Sequence, residues 1–422
     1  MGERPSRLDR AIDGVFAVMA AGVAWLAVFG HRGLAPCAGM MALMVAFRRD
    51  IWRAGFGLLA PALKRSFFGE PLSIASLAMA AFVVLVALTA FWSPTPGAEW
   101  LALTIASAVL AGGALVYEAV TAAPARARYF AILFALMVSF AAALLMFEGL
   151  SGGYLRGVIP PEDASQARWK DMTALARGVT SIAPLVFPAA ILIKRLTGSW
   201  AAAFAPAAAA FIAATQFSVF ANVVAIGAGA AAFFAAILRP RPVMIALAIL
   251  FAAALILTPF VASVLPLEAL FDNGSLAPAS WEQRLVIWRE ASDRALHQCM
   301  PLGCGADYAR AWRNEGAMID VPSSPIPLPA MPVHPHNVFI QIWLELGFAG
   351  AGAFLAAMIA SAVALLRISV DSRTAAAISA VAAVSFISVM FEASLWQAWR
   401  LAVFALAAFG CAVSYSVNKS KQ

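Results

Sequence analysis

Residues 243–265 read VMIALAILFAAALILTPFVASVL, running from Val243 to Leu265 without one charged side chain. A stretch of that length and composition is what a helix needs to cross a hydrocarbon layer. Working outward, apolar stretches of near-spanning length recur at 11–29, 33–47, 72–92, 98–118, 129–148, 176–193, 199–214, 217–237, 337–366, 374–391 and 398–415. Short polar connectors separate them. Several fall short of the roughly twenty residues a crossing requires, so their ends are expected to run into the connectors.

Composition agrees. Of 422 residues, 63% are hydrophobic and only 12% charged, and the mean hydropathy is +0.85. So little charge cannot cover a water-facing surface, which leaves the bilayer as the solvent. The strict polar–apolar alternation of barrel strands is absent. The expectation is an all-α polytopic membrane protein with about 12 transmembrane helices.

The net charge of +7 reads as topology and not as a nucleic-acid surface, because cytoplasmic connectors accumulate Lys and Arg. With the amino terminus inside, the inside segments hold Arg4, Arg7, Arg10, Arg48, Arg49, Arg53, Lys64, Arg65, Arg126, Arg128, Lys194, Arg195, Arg239, Arg241, Arg367, Arg373, Lys419 and Lys421. The short outside connectors hold only Arg32 and Arg400. Both termini are therefore expected in the cytoplasm. The first apolar run ends in Phe29-Gly30-His31-Arg32 without a small-x-small site, so it reads as an uncleaved span. The stretch 49–67, with Trp52, Phe56, Leu59 and Leu63 at helical spacing, is expected to lie along the cytoplasmic surface.

This gives three regions: residues 1–265 with spans 1–9 and an outside loop near 149–175, a long outside loop at 266–336, and residues 337–422 with spans 10–12. Most of the polar chemistry lies in or beside the two loops. Ser280 followed by Gln283, with Glu282 between them, predicts a capping box opening a helix that runs to about His297. Trp281, Arg284 and Trp288 then share one face, with a guanidinium between two indoles. Such an Arg suits phosphate binding, and it equally suits an interfacial aromatic belt. Downstream, His334-Pro335-His336-Asn337 precedes a span. With Asn337 as its cap, Asn337, Gln341 and Glu345 form a polar stripe leading into the membrane, where a carboxylate marks function or pairing.

His336-Asn337, nine residues, Gly347, two residues and Gly350 spell H-N-x9-G-x-x-G, which resembles the signature of O-antigen ligases. The helix with Arg284 and Trp288, followed by Pro301-Leu302-Gly303-Cys304-Gly305, is similar to the family's Arg, Trp and Pro-x-x-Gly-x-Gly elements. Arg177 in Leu175-Ala176-Arg177-Gly178 is similar to a second family Arg. The likeness covers roughly residues 170–370, with Cys304 as a departure between the two glycines.

The resemblance implies a GT-C-like glycosyltransferase, multi-pass in the bacterial inner membrane, with its active site facing the periplasm. Its donor would be a glycan on undecaprenyl pyrophosphate and its acceptor a lipid A–core hydroxyl. Arg177 and Arg284 would neutralise the leaving pyrophosphate while His336 takes the acceptor proton. Asn337, Gln341, Trp281, Trp288 and Arg313 would bind substrate. Displacement would invert the anomeric centre. No D-x-D carboxylate pair occurs in the outside loops, so the reading includes no metal and no other cofactor.

An O-antigen polymerase, using the same donor with another acceptor, is the runner-up. A transporter would show interrupted helices in matching halves and midplane polarity. His31, His297 and the interfacial Glu99 read as structural, and Cys37 and Cys411 as small apolar residues. Cys299 and Cys304 flank Met-Pro-Leu-Gly in an oxidising compartment, a turn-forming sequence that leaves two readings open, a disulfide or two free cysteines.

Overall fold

The computed structural model describes residues 7–46, 71–158, 167–217, 219–271, 278–394 and 396–419. The expected surface stretch at 49–67 lies outside the described residues, as do Glu162 and Asp163.

Helices occupy the places of all twelve expected spans. In chain order they are α1 (Arg7–Phe29), α2 (Leu34–Ala46), α3 (Pro71–Thr89), α4 (Glu99–Thr121), α5 (Pro124–Ser151), the short α6 (Tyr154–Val158), α7 (Ala167–Ile182), α8 (Val186–Thr197), α9 (Trp200–Gln216), α10 (Phe220–Leu238) and α11 (Pro240–Ser263). The long loop contains α12 (Leu267–Phe271), α13 (Ala279–His297), α14 (Tyr308–Asn314) and two strands, β1 (Met318–Ile319) and β2 (Leu328–Pro329). The strands pair antiparallel, Met318 opposite Pro329. The last helices are α15 (Val338–Arg367), α16 (Ser372–Phe391) and α17 (Ala398–Lys419).

Nine of these helices are long and apolar enough to cross a bilayer among the described residues, and α7 with α8 makes a tenth bent by 53°. α11 is apolar with Leu255, Pro259 and Ala262 as its buried residues, and Leu110, Leu136 and Ile249 stand exposed on α4, α5 and α11. Water does not tolerate apolar faces of that extent, whereas lipid does. The protein is therefore an all-helical, multi-pass membrane protein.

Two of the expected single spans are broken. Between α7 and α8, Pro184 offers no N–H and its ring crowds the preceding turn, so the helix bends there. In α15 the break falls at Gly347, whose φ of 64° and ψ of −160° lie outside the helical region.

α17 is the central helix, packed on α4 and on the core formed by α1, α2, α5, α7, α8, α9, α10 and α16. A second core gathers α3, α11, α13, α14 and the first half of α15. Small residues permit close approach where the expected Ala-rich segments lie: a Cβ on Gly229 of α10 would come 2.5 Å from the Phe187 ring of α8.

One end of the bundle is tied together by side chain–backbone bonds between its connectors. Arg156 donates to the Val28 carbonyl at 2.8 Å and ion-pairs with Asp171 at 2.7 Å. Trp92 donates to the Gly303 carbonyl at 3.1 Å, and Ser93 to the Ala306 carbonyl at 2.6 Å. The opposite end has its own ties, Arg126 to Asp13 at 2.5 Å and Arg195 to Asp371 at 2.8 Å.

Candidate functional site

The site grows from the start of α15. Asn337 caps that helix as expected, accepting the N–H groups of Phe339 at 2.9 Å and Ile340 at 3.1 Å. Gln341 and Glu345 follow on the same face, and all three are fully buried. Glu345 has no arginine or lysine partner among the described residues. It accepts the backbone N–H groups of Asp307 at 2.9 Å and Ala309 at 3.4 Å, the Gln341 amide at 3.1 Å and the Trp396 indole at 2.5 Å. The costly carboxylate is thus satisfied by pinning the start of α14 against α15. Asn337 and Gln341, expected to bind substrate, are fully buried in this structure.

α13 ends at His297 as expected but starts differently. Its cap position is Pro278, without a side-chain cap bond, so Ser280 lies inside the first turn and the capping box does not form. Gln283 instead donates to the Pro329 carbonyl at 2.9 Å. Glu282 accepts from the Ser323 N–H and hydroxyl, each at 2.8 Å, which holds the 315–330 segment over the helix.

The Arg284 guanidinium lies 5.3 Å from the Trp281 ring. The expected sandwich with Trp288 is absent, because that indole donates to the Pro335 carbonyl at 2.9 Å and so anchors the histidine turn. Trp281 and Trp288 share Phe391, with ring centroids 5.5 and 5.9 Å away.

His336 sits in the left-handed backbone region, φ 56°. A residue other than glycine stays there only when its surroundings hold it. Here its N–H is donated to Nδ1 of His334 at 3.1 Å, and the rings lie 4.4 Å apart. Burial first, then the charges of Arg284, Arg400 and Arg177, push the His336 imidazole down to about 3, against a backbone hydrogen bond to Glu392 that works the other way. The ring is therefore neutral at physiological pH and keeps a lone pair.

The charges of three arginines, from α7, α13 and α17, thus act on one histidine. Arg177 and Arg284 form no ion pair among the described residues, and Arg177 is exposed although Leu175, Ala176 and Val179 around it are buried. The turn carrying Arg177 is fixed because Gly178 lies directly on the Ala27 carbonyl of α1. Arg400 differs. It is buried and fully engaged: Nε to Gln397 Oε1 at 2.6 Å, Nη1 to Ser388 Oγ at 2.5 Å and Nη2 to Glu392 at 3.5 Å. At the α7–α8 break lies a small cavity with Thr180, Asn222, Ser388, Glu392, Trp399 and Arg400 in its wall.

Arg313, expected at the substrate, is exposed at the end of α14, and its charge is not among those that reach the histidines. Of its neighbours, Arg310 pairs with Asp307 at 2.6 Å, and Arg294 approaches Glu315 at 3.5 Å while stacking 3.8 Å from the Trp312 ring. Cys299 and Cys304 form a disulfide, their Cα atoms 4.8 Å apart, which settles the choice the sequence left open.

Residues 201–355 match the family model described as O-antigen ligase. Over that segment the chain is similar to the O-antigen ligase family. The family segment contains Arg284, the Pro301–Gly305 turn, His336, Asn337, Gly347 and Gly350, while Arg177 and Arg400 lie outside it. No curated protein is similar enough to the chain to be matched.

Arg400, Glu392, Gln397 and His334 were not assigned a role from the sequence. The only sequence signal was an ionisable residue at each of two adjoining span ends, Glu392 and Arg400, which ordinary connector charges also produce.

Proposed function

We propose that the protein is a glycosyltransferase that moves a glycan from undecaprenyl pyrophosphate to a lipid A–core hydroxyl at the periplasmic face of the inner membrane. One observation carries the reading: Arg177 and Arg284, which form no ion pair among the described residues, both act electrostatically on the buried His336 imidazole and lower its pKa. The match of residues 201–355 to the O-antigen ligase family model supports a ligase or polymerase type of activity.

In this mechanism the acceptor oxygen forms a bond to the anomeric carbon as the carbon–phosphate oxygen bond breaks. The electron pair leaves with undecaprenyl pyrophosphate, and the hydroxyl proton passes to the free ring nitrogen of His336. The leaving group gains negative charge during bond cleavage, and Arg177 and Arg284 are placed to stabilise that gain. Displacement from the face opposite the pyrophosphate inverts the centre. The two arginine charges fill the role of a divalent cation, so the mechanism is written without a metal.

The test is deletion followed by analysis of lipopolysaccharide and carrier lipid. Loss of a ligase leaves long chains on undecaprenyl pyrophosphate and a bare core. Core capped with a single repeat would instead support the polymerase reading.

A further inference from the structure

Two arginines stand in the short outside connectors, against the bias that collects Lys and Arg inside. Arg400 is explained by its own partners, Gln397 Oε1 at 2.6 Å, Ser388 Oγ at 2.5 Å and Glu392 at 3.5 Å. Arg32 is not. It is exposed on the single turn His31–Gly33 that joins α1 to α2, and it forms no ion pair among the described residues.

That turn packs against α7 and α17. His31 meets the Trp399 indole edge-on, ring centroids 4.8 Å apart, and the Arg400 guanidinium lies 4.6 Å from the centre of the same indole. On α7, Gly178 lies directly on the Ala27 carbonyl, which fixes the neighbouring Arg177 beside the last turns of α1. The charge of Arg32 acts on Arg177, and the charge of Arg177 acts on His336. Arg32 is not among the charges acting on His336. The order is therefore His336, then Arg177, then Arg32.

The nearby acids are already engaged. Glu148 accepts the N–H groups of Leu155 at 2.6 Å and Arg156 at 3.2 Å, and Asp171 is held by Arg156 at 2.7 Å. Glu392 is engaged by Arg400 at 3.5 Å and by Thr180 at 3.3 Å. Arg32 and Arg177 are thus two positive charges within reach of one another without a carboxylate partner among the described residues. Like charges so placed repel, and an anion that bridges them removes the repulsion and gains charge-assisted hydrogen bonds.

We propose that Arg32 is a further donor-binding residue which, with Arg177, holds the lipid-side phosphate of the donor's pyrophosphate and so selects a pyrophosphate carrier over a monophosphate one. The proposal rests on the glycosyl-transfer reading of the site. In that reading the departing oxygen belongs to the phosphate next to the sugar, on the His336 side of Arg177. The second phosphate extends past Arg177 towards Arg32, and a monophosphate carrier has no group to place there. Arg32 is a binding group and not a reacting one, because the bond that breaks is one phosphate away.

The experiment measures binding of farnesyl pyrophosphate and farnesyl monophosphate to the full-length, detergent-solubilised parent, Arg32→Ala and Arg32→Lys. A hydrogen bond to a charged group contributes roughly tenfold or more in affinity. The parent is expected to prefer the pyrophosphate by at least about tenfold. Arg32→Ala should lose about that factor on the pyrophosphate and less than about twofold on the monophosphate, which erases the preference. Arg32→Lys keeps the charge and should retain part of it. Equal losses on both probes would show a general positive field and overturn the proposal, as would an unchanged preference in Arg32→Ala.

Transfer assays in membranes, with a lipid-pyrophosphate-linked glycan donor, separate this from the reading beneath it. Full transfer by His336→Ala removes the glycosyl-transfer reading itself. An unchanged probe preference in Arg32→Ala, with His336→Ala inactive, overturns the role of Arg32 alone.

Discussion

Gly303 and Gly347 meet backbone to backbone: a Cβ on either would overlap main-chain atoms of the other's segment, the Glu345 carbonyl on one side and Gly303 N with the Pro301 carbonyl on the other. The break at Gly347 leaves carbonyls free in α15, and the loop uses them. Cys304 N–H is donated to Leu344 O at 2.9 Å and Gly305 N–H to Glu345 O at 3.0 Å, while Ala349 N–H returns to Pro301 O at 3.3 Å. The two glycine elements read from the sequence are thus halves of one splice joining the long loop to the membrane helix.

Gly347→Ala is accordingly expected to loosen that splice. A φ of 64° with ψ of −160° is close to glycine-only territory and costs other residues on the order of 1–3 kcal/mol before any overlap is counted. The thermal midpoint of the detergent-solubilised variant should fall, and protease should cut within 266–336 before the spans unfold. A midpoint equal to that of the parent protein would refute the splice.

The disulfide reinforces the same turn. Closing a loop this short contributes about 2 kcal/mol in the chain-entropy account. Cys299→Ser with Cys304→Ser should lower the midpoint, and thiol labelling of the denatured, unreduced parent should tag only Cys37 and Cys411, the two free and buried cysteines. Labelling of four thiols without reductant would show the bridge absent in the cell.

What the sequence conveyed was chiefly local. Asn337, Gln341 and Glu345 were legible because cap and stripe depend on spacing within one helix, and the Cys299–Cys304 pair, which the sequence leaves open, spans a single turn. Ser280 misled because a capping box is also a local pattern, yet Pro278 two residues earlier already supplies a helix start. Arg400 escaped notice because Ser388, Glu392, Gln397 and His334 gather around it only after α15, α16 and α17 pack. The Glu345 carboxylate suggested an ion pair. Its partners are the Gln341 amide one turn back, the Trp396 indole and two backbone N–H groups of a distant turn, and the backbone groups have no side-chain signature in sequence.

Acid should destabilise the fold before carboxylates protonate. Burial and then Arg177, Arg32, Arg400 and Arg156 push His31 down to about 4, and His336 is pushed down to about 3. Their unfolded values lie near 6.5. A folded value below the unfolded one means the unfolded chain takes up protons first, so stability held above pH 6.5 is lost as pH falls towards 4 and 3. Each such histidine contributes a slope of at most about 1.4 kcal/mol per pH unit. The thermal midpoint should drop between pH 6.5 and 5, and His31→Phe, keeping the edge contact to Trp399 at 4.8 Å, should flatten part of the drop. A midpoint independent of pH across that window would contradict the neutral histidines.

Arg284 and Arg177 should respond differently to lysine. Arg284 is half-buried, lies 5.3 Å over the Trp281 ring and has no ion partner among the described residues. Its planar fork is orientated by the indole before any ligand arrives. Lys keeps the charge but loses both the plane and a second parallel donor, so Arg284→Lys should fall about as far as Arg284→Ala. Loss of one preorganised donor to a developing oxyanion typically costs about a hundredfold to a thousandfold in kcat. Arg177 is exposed, has no stacking partner among the described residues and stands on a turn fixed by Gly178. There a point charge serves nearly as well, and Arg177→Lys should retain a rate within about tenfold of the parent while Arg177→Ala does not. The check is kcat and donor KM for the four variants at matched abundance. Near-full activity of Arg284→Lys would show that the stacked geometry is dispensable, and equal collapse of Arg177→Lys would show that this arginine, too, grips its ligand through two donors.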